Sequence, residues 1–115
     1  MTNYNYKLFE AAKIGDIPAM QEAINKGADD LNWTLACAGA HGQIEAIKLL
    51  IEKGANDFNE ALAYAAGKGH IEAMKLLIEK GADNFNWALF NAAGNDQIEA
   101  EELLQQYIKK DKNHD

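Results

Sequence analysis

IEAMKLLIEKG, residues Ile71–Gly81, decides how the rest of the chain is read. It recurs as IEAIKLLIEKG at Ile44–Gly54 and more loosely as IPAMQEAINKG at Ile17–Gly27. A fourth copy, IEAEELLQQYI at Ile98–Ile108, lacks the closing glycine. Gly27, Gly54 and Gly81 stand 27 residues apart, as do Ile17, Ile44, Ile71 and Ile98. A fixed period of that size is the mark of a stacked repeat protein, in which each unit buries its apolar face against its neighbours.

The copies align without insertions, so positions compare directly. Leu8, Leu35, Leu62 and Leu89 form one column, and Ala11, Ala38, Ala65 and Ala92 another three residues on. Gly15, Gly42 and Gly69 follow, with Asp96 in the fourth place. Each unit therefore holds two helical segments around a glycine break. The first helices are expected over about 6–13, 33–40, 60–66 and 87–93. Asn5, Asn32, Asn59 and Asn86 precede them and are read as their N-caps, since a carboxamide oxygen accepts from unpaired N–H groups of a first turn.

The second helices are expected over about 17–26, 44–53, 71–80 and 98–110. In the third, only Glu72, Lys75 and Glu79 are polar, and they share one stripe. A helix apolar around most of its girth must be covered on several sides. Gly27, Gly54 and Gly81 then supply the left-handed residue that ends a helix, and Pro18 falls in a first turn, where its missing N–H costs little. The expected fold is an all-α solenoid of four helix-turn-helix units at 3–29, 30–56, 57–83 and 84–110 within one domain spanning 1–115, with about eight helices, no sheet and a solvated tail at 111–115.

In the fourth unit Glu101 and Gln105 replace the apolar pairs Ile47/Ile51 and Met74/Ile78. Two positions four apart turn polar together, which is how a solenoid finishes an exposed end. Pro18, Glu22 and Ala23 make the first unit atypical in the same sense, so four units are expected to be the whole array.

AAGKGHIEAMKLLIEKGAD, residues Ala65–Asp83, resembles the second half of an ankyrin repeat, with Gly69-His70 at the turn between helices and Gly81-Ala82-Asp83 closing the unit. Ankyrin units run to about 33 residues, and these are shorter by the length of the β-hairpin finger. The resemblance implies a finger-less ankyrin-like array that binds other proteins through the first-helix face. It also implies a structural role for His70.

Composition narrows function further. The net charge is -7, and all 11 basic residues are lysines. Without arginine and with an acidic surface, the chain is ill suited to phosphate backbones, so no nucleic-acid partner is expected. No apolar run approaches the roughly 20 residues of a membrane helix, and MTNYNYKLFE lacks the pattern of a signal peptide. The single cysteine, Cys37, fits a reducing, cytoplasmic setting.

His41, His70 and His114 have no cysteine or carboxylate at metal-ligand spacing, and every glycine is used at a helix end or turn rather than in a phosphate loop. No metal, cofactor or catalytic group is expected. What remains is aromatic. Tyr6, Trp33, Glu60 and Trp87 form one column, beside Tyr4, Leu31, Phe58 and Phe85 in the loops between units. Exposed tryptophan beside polar groups favours a binding hot spot, whereas buried indoles would only cover the edge left bare by the missing fingers. The expected function is a non-enzymatic protein-binding module, monomeric in preference to a homo-oligomer. Its contact face would comprise Trp33, Cys37, His41, Tyr64, Lys68, Trp87, Asn91 and Asn95. The alternative is a structural protein that assembles with itself along the finger-less edge.

Overall fold

A computed structural model describes residues 2–112. Eight helices and no strand occur among them: α1 (Tyr4–Ile14), α2 (Ile17–Asn25), α3 (Leu31–Ala40), α4 (Ile44–Glu52), α5 (Phe58–Gly67), α6 (Ile71–Lys80), α7 (Phe85–Gly94) and α8 (Ile98–Lys112). Consecutive helices pair as α1/α2, α3/α4, α5/α6 and α7/α8, and the pairs stack into a slab of 52 × 29 × 19 Å. None of the described helices is long and apolar enough to cross a membrane. His114 lies outside the described residues.

The core runs unbroken through the stack. Leu8, Leu35 and Leu62 from the first helices are fully buried, as are Met20, Leu50, Leu77 and Leu104 from the second helices. First helices pack on one another closely because small residues line the contact. Gly39 is one such case, since a Cβ added there would stand 3.0 Å from the Ala61 carbonyl oxygen. Second helices touch their counterparts only sparsely. The first helices therefore form the tightly packed side of the stack.

The first helices begin two residues earlier than expected, at the column Tyr4, Leu31, Phe58 and Phe85. Those side chains are half-buried first-turn residues packed on the core rather than loop residues. Their N-caps are Asn3, Asp30, Asp57 and Asn84, and three of these accept from a backbone N–H three residues on: Tyr6 at 3.0 Å, Glu60 at 3.3 Å and Trp87 at 3.1 Å.

Three of the four asparagines read as caps, Asn5, Asn32 and Asn59, instead bind the loop that leads into the next unit. Asn5 Oδ1 accepts from the N–H groups of Asp29 and Asp30, both at 2.9 Å. Asn32 accepts in the same way from Asn56 and Asp57, at 2.8 and 3.0 Å. Each Nδ2 donates to a side chain of the same loop, at Asp29 and Asn56, at 3.2 Å. Backbone N–H groups need partners, and here a side chain supplies what a hairpin's own ladder would. This ladder makes connections of only four or five residues workable.

A second link crosses each turn within a unit. Gly15, Gly42 and Gly69 adopt left-handed φ of 73°, 67° and 73°, a conformation costly for a residue with a Cβ. Space is the other constraint. Added Cβ atoms at Gly15 and Gly42 would meet Gln43 Oε1 at 2.7 Å and His70 Nδ1 at 2.6 Å, and Gly69 is covered likewise by Gln97. His70 is thus a packing residue, as the resemblance implied. Asp96, at φ 57°, takes the glycine's place in the fourth unit, where no later unit among the described residues lies over it.

Candidate protein-binding face

Seven large apolar side chains are exposed among the described residues: Tyr6, Ile14, Trp33, Tyr64, Trp87, Phe90 and Ile98. All but Ile98 project from first helices. Tyr6 and Ile14 line a groove with Ala19, Glu22 and Ala23 in the first unit. Trp33, Tyr64 and Trp87 mark the side of α3, α5 and α7, and the second helices present pairs such as Lys48–Glu45, 3.5 Å apart and well solvated.

Three rings form the centre of this face. Trp33 stacks on Phe9 with centroids 6.4 Å apart and planes 11° from parallel, and meets Tyr64 nearly edge-on at 6.0 Å and 85°. Offset and edge-to-face arrangements are the favoured aromatic geometries. The cluster joins three units and leaves Trp33 44% and Tyr64 39% exposed. Trp87 is 40% exposed. Its backbone is fixed by the Asn84 cap. Both indoles thus have a wet surface and a packed one.

The other expected contact residues divide. Lys68 is exposed, and so is His41, whose ring Nδ1 lies 2.8 Å from the Cys37 carbonyl oxygen and donates to it when protonated. Asn91 donates to the Ala63 carbonyl at 3.2 Å, bridging α7 to α5, and Asn95 donates to the Asn91 carbonyl at 2.8 Å. Cys37 lies under the face rather than on it, being only 7% exposed. Burial pushes its thiol up to about 11, with Lys13 opposing and Asp30 and Glu60 adding to the rise. A thiol held protonated in this way is a poor nucleophile.

Sequence reasoning left Tyr6, Phe9, Ile14 and Phe90 out of the face. A usable signal existed for two of them. Phe9 and Phe90 share a column with Ala36 and Ala63, which are buried. Only an end unit, with a neighbour on one side, has room for a large ring there.

The family model for ankyrin repeats in three copies matches residues 35–115. The chain belongs to the ankyrin repeat family. No curated protein matches it. The matched span covers the second to fourth helix pairs. The α1/α2 pair lies before it and carries Pro18, Glu22 and Ala23, the departures that set the first unit apart. Ankyrin repeats are generally protein–protein interaction modules and typically non-enzymatic.

Proposed function

We propose that this ankyrin chain is a non-enzymatic interaction module that binds a protein partner across its first helices. Trp33 and Trp87 serve as anchors, Tyr64, His41 and Lys68 lie between them, and Asn91 and Asn95 flank the far end. The observation that carries the reading is the segregation of exposed apolar surface. Six of the seven exposed large apolar side chains sit on the first helices, and a concentrated apolar patch on a soluble domain marks an interaction site. Cys37 lies beneath these residues.

The protein works as a monomer in this account, because Asp96, Glu101 and Gln105 interrupt the surface on which a further unit would stack. A reducing cytoplasmic setting suits its free, buried cysteine. The acidic surface and the absence of arginine favour a protein partner over nucleic acid.

The test is paired substitution. Trp33→Ala and Trp87→Ala should each weaken partner binding by about 2 kcal/mol or more, with helical content unchanged by circular dichroism. If both variants lose thermal stability while binding per folded molecule stays as in the wild type, the indoles are edge covers and the reading fails.

A further inference from the structure

The column Tyr6, Trp33, Glu60, Trp87 crosses all four units, and its one non-aromatic member is a carboxylate set between two indoles. Asp57, the cap one turn before Glu60, is exposed, with its Oδ1 3.3 Å from the Glu60 backbone nitrogen. Asp30, the cap preceding Trp33, is exposed too, and its side chain caps nothing. The ion pairs among the described residues are Lys13–Glu10 and Lys48–Glu45, so neither involves Asp30, Asp57 or Glu60. Lys26 and Lys53, at the other ends of the same loops, are not within ion-pair distance of these carboxylates. Besides its burial, Lys13 of the first unit, then Asp30 and Glu60, bear on the Cys37 thiol, so these two acids share that part of the face with one cation of the chain's own.

The first unit is built the opposite way. Lys13 Nζ sits 5.3 Å from the Phe9 ring centroid, and Lys7 Nζ 5.9 Å from that of Tyr4. Aligned with Lys13 are Ala40, Gly67 and Gly94, and aligned with Lys7 are Thr34, Ala61 and Ala88. At these two columns the ammonium groups stop after unit one, whereas the aromatic column continues to unit four; Lys68 is the one lysine placed on the face between the indoles. Trp33 and Trp87 hold no cation of the chain's own among the described residues.

We propose that the partner is a protein segment carrying a lysine or arginine flanked by apolar side chains, and that its cation docks at Glu60 between Trp33 and Trp87. The inference rests on the first-helix reading above and adds the partner's chemistry. A cationic head gains from the indole faces and from the carboxylates, while its apolar stem lies along the rings. The flanking apolar residues cover the Phe9–Trp33–Tyr64 cluster. An acidic segment meets like charge here and is excluded.

Selection of a phage-displayed random peptide library on the immobilised full chain tests this. The expected consensus contains lysine or arginine beside apolar residues. A synthetic peptide of that consensus should bind about tenfold more weakly to Glu60→Lys, less so to Glu60→Gln, and more weakly as salt rises. An acidic consensus, no enrichment, or Glu60→Lys binding as the wild type does would overturn the proposal. Peptides without basic residues that still need Trp33 and Trp87 would overturn it and leave the first-helix reading standing. Selected peptides that bind Trp33→Ala and Trp87→Ala undiminished would overturn both. Self-association through this site, seen by light scattering as a mass that rises with concentration and that Glu60→Lys returns to monomer, would also overturn it.

Discussion

Asn59 holds the loop that leads into the fourth unit: its Oδ1 accepts from the Asp83 N–H at 2.8 Å, and its Nδ2 donates to Asp83 Oδ1 at 3.2 Å. The same oxygen takes the Asn84 N–H at 2.9 Å. One side chain therefore fixes the turn that a longer ankyrin unit would build with backbone. Asn86 occupies the equivalent place in the fourth unit and makes no side-chain hydrogen bond among the described residues.

The pair gives a controlled test of the ladder. Asn59→Ala leaves two loop N–H groups without their acceptor and should cost about 1–3 kcal/mol in urea unfolding. Asn86→Ala should change stability by less than about 0.5 kcal/mol, as for surface substitutions generally. Equal effects at the two positions would show that the carboxamide acts within its own helix and not between units.

The 27-residue period made the stack, the helix pairing and the core columns legible, because burial repeats with the unit. The starts of the first helices were not, and the reason is local. Asparagine and aspartate fill both the cap column and the column two residues later, and both residue types are good caps. Only the position of the next unit's loop distinguishes Asn3 as a cap from Asn5 as a bridge. Solvent exposure was signalled only by Glu60 in the tryptophan column, which left Trp33 and Trp87 open between a wet and a covered position; both are partly exposed. The face was not legible at Cys37, since a residue that touches the adjacent first helix lies only a small rotation from one that touches solvent.

Glycine substitutions separate the constrained turn from the free one. Gly42→Ala forces a Cβ into left-handed backbone under the His70 ring, and should destabilise the fold by at least about 1 kcal/mol. Gly94, the last residue of α7, has nothing within 4 Å of an added Cβ. Gly94→Ala should be neutral or stabilise by up to about 1 kcal/mol through helix propensity. Thermal unfolding of the two variants checks the contrast, and a Gly42→Ala protein as stable as the wild type would refute the interlock between units.

Burial of Cys37 predicts a pH dependence at the alkaline end. Its thiol is raised from 9.0 to about 11, so the folded state holds this proton more tightly than the unfolded chain does. The stability it contributes is complete below pH 9 and is lost as pH rises towards 11. Thiolate absorbance in the folded protein should appear only near the upper end of that window, and iodoacetamide should react slowly at neutral pH. Rapid alkylation at neutral pH without unfolding would mean that the thiol is accessible.

The ends of the stack are predicted to block growth. Gln97 lies over Gly69, and in a head-to-tail pair Asp16 of one copy would have to lie over Asp96 of another. A Cβ and a second carboxylate stand in the way. Glu101 adds charge where Ile47 and Met74 are fully buried. The triple variant Asp96→Gly, Glu101→Ile, Gln105→Ile should keep its helical content and associate with rising concentration in light scattering. A strictly monomeric triple variant would show that this surface is not an inter-unit face.

The central claim is that the first helices carry the binding surface. Amide chemical-shift mapping on the isotope-labelled full chain, titrated with a peptide selected against it, tests this most directly. The account predicts perturbations centred on Trp33, Glu60, Tyr64 and Trp87, within α3, α5 and α7, with the outward stripe Glu72, Lys75 and Glu79 of α6 unmoved. Perturbations confined to the second helices or to the ends of the stack would contradict it.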